Sequence, residues 1–325
     1  MDSPSRGADG ATDSTPVAAA LDAYGGDLAT AVESALSGRS GVVACGVPLG
    51  LLPAVLAARE RTDDDARWRI ACRPGVVDAL GRALALGTDA AEAVADGSIA
   101  LRTDAAGWVA FATPDRADAV AGPLSDPTLV SDAGGSTAAA VVRAATTRFE
   151  AATPATVAMP PRTDLVAAAR EALDDRFATD LAAVLDALEY GELGRTGTVS
   201  DRTLLVALAA RHDHLFRDLR RWVDGAEGAG GERGCDAGRV AVAPSQELTD
   251  DRRALVRRGL IESIKVPMGP GRPKLRLRAV DDALLRARPT EVLSVLRGRF
   301  ALPLDGDGTL APGPDGGGRR PVWDR

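Results

Sequence analysis

The sequence predicts an α/β domain, then a helical connecting region, then a winged helix-turn-helix. Three observations carry that prediction. Short apolar runs alternate with helical periodicity over residues 27–122, alanine-rich amphipathic helices dominate 123–199, and three helical segments precede a Gly/Pro-interrupted strand pair over 200–280. The chain of 325 residues has room for two domains, and with only 3% aromatic residues its core must be filled by Ala, Val and Leu.

In the first region a helix from Asp27 leads into an apolar strand, Gly41–Gly46. A helix near Leu51–Arg61 and a strand, Trp68–Cys72, follow. Pro74–Leu86 and then Ala90–Ala95 read as helices, with Pro near the first turn of the former. Ser98–Arg102, Trp108–Thr113 and Asp118–Gly122 read as short strands joined by tight turns, so a parallel start meets an antiparallel finish. Gly41–Ala58 carries no charge, but Pro48, Pro53 and its glycines suit a strand, turn and helix rather than a membrane span. Beyond 122, helices are expected near Thr137–Ala151, Thr163–Arg176 and Thr179–Leu188. The apolar stripe Leu181, Val184, Leu185 and Leu188 suits either core packing or a dimer interface.

Residues 1–26 and 301–325 are rich in Gly, Pro, Ser and Asp and read as disordered tails, with C-terminal helices over 281–300. Met1–Pro16 holds no apolar h-region, so no secretory signal is expected. Cys45, Cys72 and Cys235 are odd in number and lack metal or redox spacing, which suits reduced thiols in a cytoplasmic protein. All basic residues except Lys265 and Lys274 are arginine, and aspartate outnumbers glutamate. That composition suits a haloarchaeal cytoplasm, and GC-rich coding favours Arg and Ala as well.

The region from Ser200 is the most specific. Ser200 or Asp201 can cap a helix through Leu204, Leu205 and Leu208, and a second helix spans about His214–Val223. After a Gly-rich insertion (Gly225–Gly238), Ser245 can cap a third helix through Arg258, closed by Gly259 in the left-handed conformation. Strands at Ile261–Val266 and Leu275–Leu277 then flank the loop Pro267–Pro273. Three helices and a hairpin make a winged helix, and charge points to double-stranded DNA. Between Arg252 and Arg278 stand nine basic residues against Glu262, a local net of +8 in a chain of net −7.

Within that window Arg272, between glycine and prolines, suits insertion into a narrow minor groove. Lys274, Arg276 and Arg278 alternate along one strand face and suit phosphates, as do Arg257 and Lys265. Glu247, Asp250 and Asp251 crowd the start of the third helix, which leaves Gln246, Thr249 and Arg253 as base-reading candidates. The alternative is a winged helix whose basic face docks another protein.

The run LVRRGLIESIKVPMGPGRPKLRLR, preceded by SDRTLLVALAARHDHLFRDLRRW, resembles the haloarchaeal TbsP-type transcriptional regulators. The resemblance extends through FATDLAAVLDALE and VADGSIALRT, over roughly residues 27–280, and its most specific part is the Gly-Arg-Pro core of the wing. It implies an N-terminal α/β regulatory domain, a C-terminal winged helix and sugar-responsive control of central carbon and gluconeogenic genes. The acidic stretch SQELTDDRRALV and the long Gly-rich insertion depart from the family's pattern.

A parallel sheet places ligands at the C-terminal ends of its strands. Those ends lie at Cys45–Pro48 and Cys72–Pro74, where Gly46 and Arg73 would receive a small anionic metabolite. The alternative is that Arg73 forms an ion pair and the domain serves dimerisation. His212 and His214, the only histidines, cannot complete a metal triad, and the first domain has none for a Ser-His-Asp site. An enzyme is therefore not expected, nor a cofactor. A homodimer on two half-sites is the expected assembly.

Overall fold

The computed structural model describes residues 25–63, 65–105, 107–122, 127–188, 199–224, 247–268 and 272–302. Helix α1 (Gly25–Leu36) precedes β1 (Val43–Val47), a strand buried along its whole length. Helix α2 (Leu52–Glu60) carries Pro53 in its first turn, where no N–H is missed, and leads to β2 (Trp68–Cys72), parallel to β1.

The segment expected as one helix over Pro74–Leu86 is two. Helix α3 (Val76–Leu80) stops before Gly81, and α4 (Leu84–Ala95) absorbs the short helix expected at Ala90–Ala95. The break lets the chain fold back at backbone contact, because a Cβ on Gly87 would collide with the carbonyl oxygen of Leu80. Strand β3 (Ile99–Thr103) extends the parallel set beside β2, and β4 (Val109–Thr113) and β5 (Arg116–Ala121) add antiparallel strands on the other side of β1.

The sheet continues past residue 122. Strand β6 (Thr128–Ala133), helix α5 (Ser136–Ala151) and the two-residue β7 (Thr153–Pro154) complete a seven-stranded order β6-β5-β4-β1-β2-β3-β7. Sequence periodicity assigns these residues to the connecting region because β6 is an edge strand with Thr128, Val130 and Ser131 exposed.

Helices α1, α2 and α4 contribute to the main core on one face of the sheet. On the other face α5 brings Ala145 and Phe149 onto Val43, Cys45, Ala71 and Ala112. Burial pushes the Cys45 thiol up to about 11 and that of Cys72 up to about 12, so both are unreactive at neutral pH. Asp118 is fully buried but paired with Arg39 at 2.7 Å and Arg116 at 3.1 Å.

Helices α6 (Arg162–Ala172) and α7 (Asp175–Ala187) pack on each other, and Asp174 caps α7 by accepting the N–H of Phe177 at 2.7 Å. Leu181, Val184 and Leu185 are buried in the same continuous core as the sheet domain, so that stripe is core packing. Among the described residues no helix is long and apolar enough to cross a membrane, and no cluster of His, Cys, Asp and Glu could hold a metal. The expected tails lie outside the described residues except at 25–26 and 301–302, and Cys235 and the Gly-rich insertion lie outside them entirely.

Candidate nucleic-acid interface

Helix α8 (Asp201–Arg211) starts from Ser200, whose hydroxyl accepts the N–H of Thr203 at 3.2 Å while the Thr203 hydroxyl accepts the N–H of Ser200 at 3.4 Å. The helix is buried from Thr203 to Ala210. A tight turn follows in which Asp213 takes φ +56, a conformation Asp tolerates better than most residues. Helix α9 (Phe216–Val223) then buries Phe216, Leu219, Trp222 and Val223. Helix α10 (Glu247–Arg257) buries Leu248 and Leu255, and Gly259 ends it at φ +64.

Strands β8 (Ile261–Val266) and β9 (Lys274–Ala279) form the hairpin, and a bridge from Leu215 to Arg276 adds a third strand position. The N–H of Leu277 donates to the His214 carbonyl at 2.9 Å, which fixes the hairpin to the α8–α9 turn. This is the winged helix-turn-helix arrangement, with α10 in the position of the third helix and β8–β9 as wing. Helices α11 (Asp282–Arg286) and α12 (Val292–Phe300) close the domain, α12 packing on α8.

The acids at the start of α10 have structural work. Asp251 accepts from Ser200 Oγ at 3.1 Å, Arg202 Nε at 3.1 Å and Thr203 Oγ1 at 2.6 Å, and Glu247 pairs with Arg202 at 2.7 Å. Both carboxylates therefore turn back to α8. Asp250 faces outward and pairs with Arg253 at 3.1 Å. Helical spacing places Arg253 and Arg257, both exposed, opposite the buried Leu248 and Leu255, with half-buried Thr249 beside them. Gln246 lies outside the described residues.

Two of the nine basic residues belong to the packing. Arg252 donates to Ser263 Oγ at 2.9 Å and lies over the Phe216 ring at 5.4 Å, and Arg258 stacks on Phe300 at 4.1 Å. Burial, then a neighbouring arginine, lowers the pKa of each from the usual guanidinium range. Lys265 and Arg272 are exposed at the wing. Lys274, Arg276 and Arg278 share the hairpin face opposite the buried Leu277 and Ala279, paired across the strands with Val266, Ile264 and Glu262. Arg276 is half-buried, and Arg278 is held by Asp213 at 3.1 Å and Glu262 at 3.7 Å. Helix α9 adds exposed Arg217 and Arg221, which the charge window missed because it began at Arg252.

The two histidines flank the α8–α9 turn around the Phe177 ring. His212 Nε2 stands 2.9 Å from Asp180, and His214 Nε2 3.5 Å from Asp174. In the sheet domain, Arg73 Nε donates to the Gly46 carbonyl at 3.1 Å, so the two effector-site candidates are joined to each other. A cleft of about 780 Å³ lies at the opposite end of the strands, lined by Arg59, Glu92, Ser98, Arg162 and Leu185 among others. Its polar groups are partly paired: Arg162 faces Asp89 across the lining at 3.2 Å, and Glu92 accepts the N–H of neighbouring Thr163 at 3.0 Å.

A family model described as the N-terminal part of TbsP-like transcriptional regulators matches residues 21–160. A second, described as the C-terminal HTH domain of TbsP-like transcriptional regulators, matches 161–297. Comparison with curated proteins and with solved structures gave no match. The two family matches abut at the end of the sheet domain and cover most of the chain, in the order that the sheet and the winged helix occupy. The chain belongs to the TbsP-like transcriptional regulators and carries both their N-terminal domain and their DNA-binding helix-turn-helix domain.

Proposed function

We propose that this regulator reads specific promoter sequences as a homodimer, with α10 in the major groove and the wing against the flanking groove. The observation that carries the reading is the exposed positive charge on the outer side of α10 and along the wing, while Asp251 turns inward and Glu247 is paired with Arg202. Thr249 and Arg253, with Gln246, read base edges, and Arg272 enters the minor groove. Arg257, Lys265, Lys274, Arg276 and Arg278 contact phosphates and set the register.

The targets proposed are central carbon and sugar-metabolism genes of a haloarchaeal cytoplasm. The arginine-rich, aspartate-rich composition supports that setting. A small anionic metabolite near Gly46 and Arg73 is the proposed effector, supported by their place at the C-terminal ends of β1 and β2. The role is regulatory rather than enzymatic.

The test is genome-wide immunoprecipitation of the tagged protein, wild type beside Arg272→Ala, with and without sugar. Sharp promoter peaks that weaken in the variant support the reading, and peaks that change with sugar support an effector. An absence of peaks in every condition overturns it in favour of a protein-docking surface.

A further inference from the structure

The first turn of α8 makes two sets of polar bonds that reach different parts of the molecule. Asp201 Oδ2 accepts the N–H of Leu84, the first residue of α4, at 2.7 Å. Helix α4 has no side-chain cap of its own, since its N-cap is Ala83. One of its orphan N–H donors is thus satisfied from the helix-turn-helix domain. The carboxylate is half-buried against the N-terminus of α4, where free backbone N–H groups need an acceptor. The residues around it hold α10: Ser200, Arg202 and Thr203 converge on Asp251, and Arg202 also takes Glu247.

Four consecutive residues therefore grip a helix of the sheet domain and the recognition helix together. Their backbone is fixed by the reciprocal Ser200–Thr203 cap, so they move as one body. A displacement of Leu84 has two outcomes. It either breaks a charge-assisted hydrogen bond and leaves a half-buried carboxylate and the Leu84 N–H unpaired, or it carries residue 201 along with its neighbours. The first forfeits a charge-assisted hydrogen bond, so small displacements follow the second route.

We infer that Ser200–Thr203 is a positioning joint through which the sheet domain sets the pose of the recognition helix, with Asp201 its positioning residue toward α4 and Arg202 toward α10. The inference rests on reading α10 as the recognition helix. Helix α4 also lines the cleft described above with Asp89 and Glu92, so that cleft and the joint share one element.

The test is amide hydrogen exchange on the full chain without DNA, with β2 as internal reference. Asp201→Ala should raise exchange at least threefold in residues 247–257, although the Asp201 side chain bonds to α4 and not to α10. Asp201→Asn keeps an acceptor oxygen for Leu84 and should restore protection there. Reciprocally, Asp251→Ala should raise exchange in residues 84–88. Should Asp201→Ala fail to fold, Leu84→Pro removes the same bond from its donor side at a first helical position that accepts proline. Exchange changes confined to α4 and α8, or equal loosening of α10 by Asp201→Ala and Asp201→Asn, would overturn the joint. Loss of DNA binding with the exchange coupling intact would instead count against the interface reading alone.

Discussion

Asp213 holds Arg278 at 3.1 Å, and in doing so the α8–α9 turn restrains a cation of the wing. Asp213 is also the one described non-glycine residue with positive φ. Both partners are about half exposed, so the pair contributes little stability and its main effect falls on the charge that the wing presents. Asp213→Asn keeps a side chain that tolerates the left-handed region while removing the carboxylate. Affinity for any DNA duplex should rise a few-fold, with a steeper salt dependence, as measured by fluorescence anisotropy at two salt concentrations. Unchanged affinity and slope would show that Arg278 takes no part in phosphate contact.

Gly87 and Gly298 should respond to alanine in opposite ways. A Cβ on Gly87 meets the Leu80 carbonyl, which is backbone and cannot yield cheaply, whereas one on Gly298 within α12 meets nothing within 4 Å. Gly87→Ala should destabilise the protein by roughly 1–3 kcal/mol, and Gly298→Ala should stabilise it by about 0.5–1 kcal/mol. Urea denaturation monitored by circular dichroism checks both.

Two groups give opposite pH signatures. Burial, partly opposed by Asp174, lowers the pKa of His214 from its ordinary 6.5, so the unfolded chain binds the proton first and the fold loses stability as pH falls through 6.5. Burial pushes the Asp201 carboxyl from 3.8 up to about 6, against the Leu84 hydrogen bond and Arg202, so the fold binds the extra proton and loses stability as pH rises from 3.8 through 6. Relative to wild type, His214→Gln should therefore gain stability below pH 6.5, and Asp201→Asn between pH 4 and 6, with no further change above. Denaturation midpoints across that range measure both, and flat differences would contradict the assignments.

The winged helix was legible because its signals are local. The Ser200 cap, the left-handed Gly259 and the alternation of Lys274, Arg276 and Arg278 each act within a few residues. The parallel β1–β2 pair was legible for the same reason, as apolar strands separated by a helix, whereas β3, expected to lead by a tight turn into an antiparallel neighbour, instead pairs in parallel with β2. What stayed hidden depends on distant partners. The acids of α10 read only as crowding the start of the helix until Ser200, Arg202 and Thr203 are placed beside Asp251, 48 to 51 residues away in sequence. Asp201 reads as a local cap, yet its partner is Leu84. The break after Leu80 follows from a close approach that no periodicity records, and β6 escaped notice because an edge strand need not alternate.

The wing's part in DNA binding is tested most directly by affinity against salt, using purified full chain and a promoter fragment recovered by immunoprecipitation. Wild type should show a steep linear fall of log affinity with log salt, at about −0.9 per phosphate neutralised. Replacing Lys265, Arg272 and Lys274 with alanine should make the slope shallower by about 2 to 3 and weaken binding at every salt concentration. A wild-type slope near zero, or an identical slope in the triple variant, would contradict the interface.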